Sequence, residues 1–278
     1  MESLKYFKSK KISENIIRIF GPTGELMYLV EGDKRAVLID TGTGVGNLSE
    51  YVKQLTNKTI TVILTHGHVD HASGAANFDD VYMNHTDKEV YKEHNDLDLR
   101  KDYFKGQYKD FDKIKDSDYV ESKSSVVYKE LSEGNVFDLG GTTLEIYSAA
   151  GHTPGQMAIL FKEERILMVG DAANQSTFLF DKNSLGITSY EKSMKDLLLK
   201  TDGKFDKILL SHGSGDAPKE LLANIILLCE EIKAGNDDEV PFEFMGQKAY
   251  IAKQANTQFE RVDGGFGNII YSKEKVNN

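Results

Sequence analysis

His66-Gly67-His68-Val69-Asp70-His71 gathers three imidazoles and a carboxylate into six residues, directly after the apolar run Thr61-Val62-Ile63-Leu64-Thr65. Two imidazoles at alternate positions can grip one divalent ion while the adjoining carboxylate and third imidazole hold a second, provided the backbone turns sharply between them. Gly67 permits such a turn. A lone histidine ordinarily has a hydrogen-bond partner in the surface or core, but three at this spacing beside an aspartate point to metal. A catalytic zinc takes about three protein ligands and keeps one open position, so six residues cannot surround two ions and other segments must contribute. His152 lies in Ala150-Gly151-His152-Thr153-Pro154-Gly155, after the strand-like Thr143-Leu144-Glu145-Ile146-Tyr147. Asp171 follows Arg165-Ile166-Leu167-Met168-Val169-Gly170, and His212 follows Lys207-Ile208-Leu209-Leu210-Ser211. In all four places a short apolar strand ends and a donor stands in the loop beyond it. That predicts donors gathered along one edge of a layered α/β sheet sandwich, where such folds usually bind ligands.

The elements that must position these donors read as two similar halves of alternating strands and helices. Leu26-Met27-Tyr28-Leu29-Val30 and Ala36-Val37-Leu38-Ile39-Asp40 predict a hairpin around Gly32-Asp33. Leu48, Tyr51, Val52 and Leu55 recur at helical spacing and predict an amphipathic helix. Residues 87–94 also read as helix, and His85 and His94 read as surface residues outside the donor set. Thr188-Ser189-Tyr190-Glu191 reads as a capping box that opens a helix through Leu199. Pro218 to Cys229 reads as a helix with proline in its first turn. Gly42-Thr43-Gly44-Val45-Gly46 lacks the dinucleotide spacing and reads as a turn.

Two segments are candidates for substrate choice. Residues 95–125 mix acidic and basic residues with Tyr103, Phe104, Tyr108, Phe111 and Tyr119. They read either as a lid insertion or dimer contact over the metal cleft, or as two surface helices with an ordinary apolar face. Residues 241–271 read as a strand-rich extension that completes a sheet edge, adds an arm to the pocket, or both.

The 278 residues fit a single domain, 1–278, carrying that insertion and extension. A net charge of −10 opposes long-range attraction of nucleic acid and favours a small-molecule substrate. Met1-Glu2-Ser3-Leu4-Lys5-Tyr6-Phe7-Lys8 lacks the apolar stretch of a secretory signal, and no segment has the apolar length of a membrane span. The expectation is a cytoplasmic protein without a membrane partner, with homodimerisation open. One cysteine can form no intramolecular disulfide, and Cys229 reads as a small buried hydrophobe.

From about Ile16 to His212 the sequence resembles the metallo-β-lactamase superfamily of binuclear metallohydrolases. The resemblance rests on Asp40-Thr41-Gly42, the His-x-His-x-Asp-His run, His152, Asp171 and His212. It implies an α/β fold, an αββα sandwich of two mixed β-sheets flanked by helices. Carried over position by position, it implies that His66, His68 and His152 hold one divalent ion. Asp70, His71 and His212 would hold the second, with Asp171 bridging the pair. Asp40 would hydrogen-bond the ligand loops without touching metal. Zinc is the implied metal, with iron or manganese as alternatives for imidazole and carboxylate donors. The implied reaction is hydrolysis by a metal-bridging hydroxide, with Asp70 also shuttling the proton to the leaving group.

The bond cleaved is narrowed by departures from familiar members. Family β-lactamases typically carry Cys or Ser at the Asp171 position, and quorum-sensing lactonases a tyrosine where this chain has Asn174. The tRNA-processing nucleases use a basic surface that the acidic balance opposes. Glyoxalase II-like thioesterases fit in general, but their glutathione-binding helical domain should follow the last histidine, where this chain turns strand-like. The expectation is hydrolysis of a small ester, thioester or lactone. The alternative is a persulfide dioxygenase-like oxidoreductase, holding a single iron at the positions of His66, His152 and Asp171. The flavodiiron branch fits worse, since it places a glutamate at the His68 position and adds a flavin domain. A phosphodiesterase or nuclease and a non-catalytic metal-binding protein are the remaining alternatives.

Overall fold

The computed structural model describes residues 5–121, 128–244 and 246–277. Positions 1–4, positions 122–125 of the candidate insertion and position 245 of the extension lie outside the described residues. The chain divides into two compact units, Met1–Glu145 and Ile146–Asn278.

The first unit is built on a seven-stranded sheet in sequential order, β1 to β7. β1 (Lys8–Lys11), β2 (Ile16–Phe20), β3 (Leu26–Glu31) and β4 (Ala36–Ile39) form an antiparallel meander. The expected hairpin is thus observed as β3–β4, and both strands bury nearly every residue, as their unbroken apolar runs require. A helical crossover, α1 (Leu48–Val52), then sets β5 (Ile60–Ile63) parallel to β4, with Leu38 opposite Val62 and Ile39 opposite Ile63. Asn47 caps α1 by accepting from Glu50 N at 3.0 Å. The helix stops before Leu55 because Gln54 N and Leu55 N donate only three residues back, tightening the last turn.

A single turn of helix, α2 (Val69–Ala72), follows β5. β6 (Val81–Met83), α3 (Lys88–His94), α4 (Leu97–Gln107), β7 (Lys129–Glu130) and β8 (Val136–Asp138) complete the unit. Phe104 of α4 packs into the core with Leu38, Leu48, Val62 and Tyr91. The guanidinium of Arg100, 1 % exposed, donates to Thr43 O at 3.3 Å, Gly44 O at 2.8 Å and Val120 O at 2.8 Å. The described part of the 95–125 segment is therefore fastened to the glycine turn, whose Gly42, Gly44 and Gly46 all take positive φ.

β9 (Thr143–Ser148) carries the chain from the first unit into the second. β10 (Met157–Phe161), β11 (Ile166–Met168), β12 (Thr177–Leu179), α5 (Ile187–Thr201), β13 (Lys207–Leu209), β14 (Asp216–Ala217), α6 (Leu221–Ala234), β15 (Val240–Phe244), β16 (Gln247–Ile251) and β17 (Ile269–Tyr271) follow. One sheet has the order β14-β13-β11-β10-β9-β8, with β11 and β13 parallel. A second has the order β12-β17-β16-β15, so strands from residues 240–271 share a sheet with the strand following Asp171. Helices α5 and α6 contribute Tyr190, Met194, Leu197, Ile225 and Cys229 to a core shared with Leu167, Leu179 and Ile208.

Helix α5 corrects one expectation. It begins at Ile187 after Gly186, with no side-chain cap, and Thr188 is already helical and donates to Val276 O at 3.0 Å. Glu191 faces Lys195 and Lys233 instead of turning back to cap the helix. The mixed α/β architecture expected from the sequence is observed. No helix among the described residues is long and apolar enough to cross a membrane.

Candidate metal centre

In the first unit the donors are set by the ends of β4 and β5. Asp40, one residue past β4, takes φ 62, and its buried carboxylate accepts from Thr65 N at 2.7 Å and from Thr65 Oγ1 at 2.8 and 3.0 Å. The same carboxylate lies 2.8 Å from His71 Nδ1. Thr41 closes the clamp, donating to His71 O through its N–H at 2.7 Å and its hydroxyl at 2.9 Å.

Gly67 makes the turn the sequence requires of it. A Cβ there would stand 2.8 Å from Tyr91 N and 3.0 Å from Asp87 O, while its N–H donates to Asp87 Oδ2 at 3.0 Å. His66, His68 and His71 are consequently packed together, with ring centroids 4.8 Å apart for His66 and His68 and 4.0 Å for His66 and His71. All three are buried, as is Asp70, whose Oδ1 lies 3.6 Å from His71 Nε2.

Two neighbours of this set are not singled out by the sequence. Tyr103 of α4 donates its hydroxyl to Asp70 Oδ2 at 2.9 Å. His94, expected at the surface, is half-buried and stacks on His68 at 4.4 Å with 28° between rings. His85 stands outside the donor set, as expected: its Nε2 lies 2.8 Å from Tyr128 O and its part-exposed side chain pairs through Nδ1 with Glu130, so it braces the chain around β7.

In the second unit the two remaining histidines converge on the third donor, Asp171, which is 6 % exposed. His212 Nε2 lies 3.2 Å and His152 Nε2 3.8 Å from Asp171 Oδ2. His152 is aimed from behind, its Nδ1 2.8 Å from Phe178 O at the start of β12. Gly151 is required beside it, because a Cβ would stand 2.2 Å from Cδ2 of the fully buried Tyr190, whose hydroxyl donates to Ala172 O at 2.5 Å. Asn174 serves the turn, accepting from Ser176 N at 2.7 Å and donating through its N–H to Thr177 Oγ1 at 3.0 Å.

The chemistry of the donors fits divalent metal. Nδ1 of His66, His71 and His152 each meets an oxygen fixed by the fold: Thr65 Oγ1 at 3.0 Å, Asp40 Oδ2 and Phe178 O respectively. Such partners fix the tautomer and leave Nε2 as the ligating nitrogen. Packed imidazoles beside carboxylates are the donor type taken by zinc, iron or manganese.

A sequence model described as the metallo-beta-lactamase superfamily matches residues 20–212, a span that includes every one of these donors. The chain belongs to this superfamily. With that membership goes a metal-dependent hydrolase. The acyl-coenzyme A thioesterase MBLAC2 of Homo sapiens is 25% identical over 242 residues, covering 76% of this chain and 83% of its own. An atrochrysone carboxyl ACP thioesterase of Aspergillus chevalieri is 23% identical over 173 residues, covering 58% of this chain and 46% of its own. Among solved structures, a metallo-beta-lactamase from Pontibacter korlensis superposes with TM-score 0.59 at 18% identity over 80% of this chain and 97% of its own. The sec-alkylsulfatase Pisa1 from Pseudomonas sp. gives TM-score 0.62 at 16% identity over 82% of this chain and 42% of its own. These structural likenesses concern the fold alone.

Proposed function

We propose that this protein hydrolyses thioesters with two divalent metal ions, zinc foremost. One ion would be held by His66, His68 and His152 and the other by Asp70, His71 and His212, with Asp171 shared between them. The observation that carries the thioester is that relatives acting on two different acyl carriers, coenzyme A and an acyl carrier protein, both bear the name thioesterase. A small-molecule substrate agrees with the net charge of −10, which opposes long-range attraction of nucleic acid. A cytoplasmic setting agrees with the buried, unpaired Cys229.

When bound, such ions supply Lewis acidity toward the scissile carbonyl and bring the pKa of water toward neutrality. The chain's own residues orient that chemistry. Asp40 and Phe178 O fix His71 and His152 by their Nδ1 atoms, so neither ring can turn its Nε2 away without breaking a hydrogen bond made inside the fold. Tyr103 donates to Asp70 Oδ2 and so orients the carboxylate that would receive a proton and pass it to the leaving group.

The test is metal content per chain of protein purified without added metal, alongside a panel of thioester, ester, lactone and persulfide substrates. Near two metal ions per chain with chelator-sensitive release of thiol is the expected result. One iron per chain with oxygen consumed on persulfide would overturn the reading, as would lactone opening without thioester cleavage.

A further inference from the structure

Strand β12 leaves the Asp171 loop with alternating sides. Leu179 enters the core of the second unit, while Phe178 and Phe180 lie on the opposite face of their sheet. On that face Phe178 stands 5.2 Å from Phe180, 6.1 Å from Phe242 and 5.4 Å from Phe244, centroid to centroid. Phe242 and Phe244 alternate along β15 with the exposed Pro241 and Glu243. Phe259 adds a fifth ring 6.0 Å from Phe242; it is 37% exposed and held at φ 62, a strained backbone for a bulky residue. Phe178, Phe242 and Phe244 remain only half-buried, so the face is apolar, aromatic and incompletely covered.

This face is continuous with the donors rather than scattered over the surface. Phe178 belongs to it by its ring and holds His152 by its carbonyl at 2.8 Å. Gln175, four residues beyond Asp171, donates to Gln258 O at 2.9 Å and so ties the Asp171 loop to the loop that presents Phe259. The aromatic face therefore begins directly behind His152, on the Nδ1 side of the ring whose Nε2 faces Asp171.

We propose that this phenylalanine face binds the acyl group of the substrate, and that this acyl group is an extended apolar chain rather than acetyl. The assignment rests on the thioesterase reading and names the substrate class within it. Apolar transfer is worth about a two- to fourfold gain in kcat/KM for each methylene buried, approaching fourfold where burial is complete.

The test is kcat/KM over a series of acyl-coenzyme A thioesters from acetyl to decanoyl, for the native chain, Phe242→Ala and Phe259→Asn. Thermal unfolding checks that both variants fold; Phe259→Asn is the safer of the two, because the ring is exposed and Asn tolerates left-handed backbone. The expected result is a rise with chain length in the native protein and a decanoyl-to-acetyl ratio lowered at least about fivefold in each variant. A flat series in the native protein, or a ratio that neither variant moves, overturns the proposal. A concentration-dependent dimer in sedimentation that Phe242→Ala abolishes would give the face to a second copy of the chain, and overturns it as well. Should no thioester be turned over, the thioesterase reading fails by itself and the face is judged by decanoate binding in titration calorimetry. Binding that either variant weakens at least about fivefold upholds the acyl site, and no binding to the native chain rejects it.

Discussion

Asp40 is no ligand in the proposed centre, yet its carboxylate meets Thr65 N, Thr65 Oγ1 and His71 Nδ1. Left-handed backbone at a non-glycine residue costs roughly 1–2 kcal/mol, and Asp40 takes φ 62 while gripping Thr65 and His71 at once. Asp40→Asn keeps the size and tolerates the backbone but removes the charge on His71 Nδ1. Metal retention against a competing chelator should weaken about 10- to 100-fold, with a smaller change in unfolding temperature; unchanged retention would show that Asp40 only supports the loop. Asp70 can be tested as proton carrier. A thiolate derives from a thiol of pKa about 8.5 and needs less help to leave than an alkoxide, so Asp70→Asn should lower kcat more on an oxygen ester than on its thioester counterpart, and both more than it lowers metal content. Equal losses of turnover and metal would make Asp70 a ligand only. The donors are legible in the sequence because each group of them follows an apolar strand in a loop that contains glycine. Tyr103 and His94 are not, because what makes them part of the site is the fold of α3 and α4 onto the loop after β5, and a solitary ring at a helix position gives no sign of its neighbour.

Helix α5 shows how an element both holds the site and escapes a local reading. Thr188 and Glu191 have the spacing of a capping box, but the helix is capped two residues earlier, at Gly186, and other partners claim both side chains: Val276 O for Thr188, and Lys195 of the same helix and Lys233 of α6 for Glu191. Two predictions follow from the packing of α5. Gly151→Ala would drive a methyl into Tyr190, and overpacking of this kind costs about 1–3 kcal/mol. A drop in unfolding temperature together with lost metal is expected, since His152 is the next residue; a stable variant with native metal content would show that the Tyr190 ring yields. Glu191 is the second. Burial pushes its carboxyl up, but hydrogen bonds from Lys195 and Lys233 outweigh it and hold the group below the ordinary glutamate range. A lowered folded pKa means that the stabilisation is complete above the ordinary value of about 4.3 and is lost as pH falls from there through the folded value. Glu191→Gln should therefore cost about 1–3 kcal/mol at pH 7 in denaturant unfolding, and the gap from the native chain should narrow as pH falls from the ordinary glutamate value through the lowered folded one. The comparison belongs in chelator, so that loss of metal in acid does not enter, and a gap that persists in acid would assign the effect to packing.

At the scale of the whole chain, the donors divide unequally between the compact units: His66, His68, Asp70 and His71 in residues 1–145, and His152, Asp171 and His212 in residues 146–278. Alternation of strand and loop reveals each set in the sequence, because a donor after a strand needs only local order. The proposal that ions join the sets draws on neither half alone, and rests on the superfamily match running from 20 to 212. A shared centre has a thermodynamic signature that two independent half-sites lack. An ion binding the folded state stabilises it by about 2.7 kcal/mol at a hundredfold excess over Kd, and a shared ion delivers that stabilisation to both units at once. Adding zinc to chelator-treated protein should thus slow amide exchange in residues 65–72 and equally around 152, 171 and 212. His152→Ala, a change confined to the second unit, should remove much of the protection gained at residues 65–72. Protection there that survives His152→Ala intact would mean that His152 does not hold the ion assigned to His66 and His68, and that assignment would have to be given up.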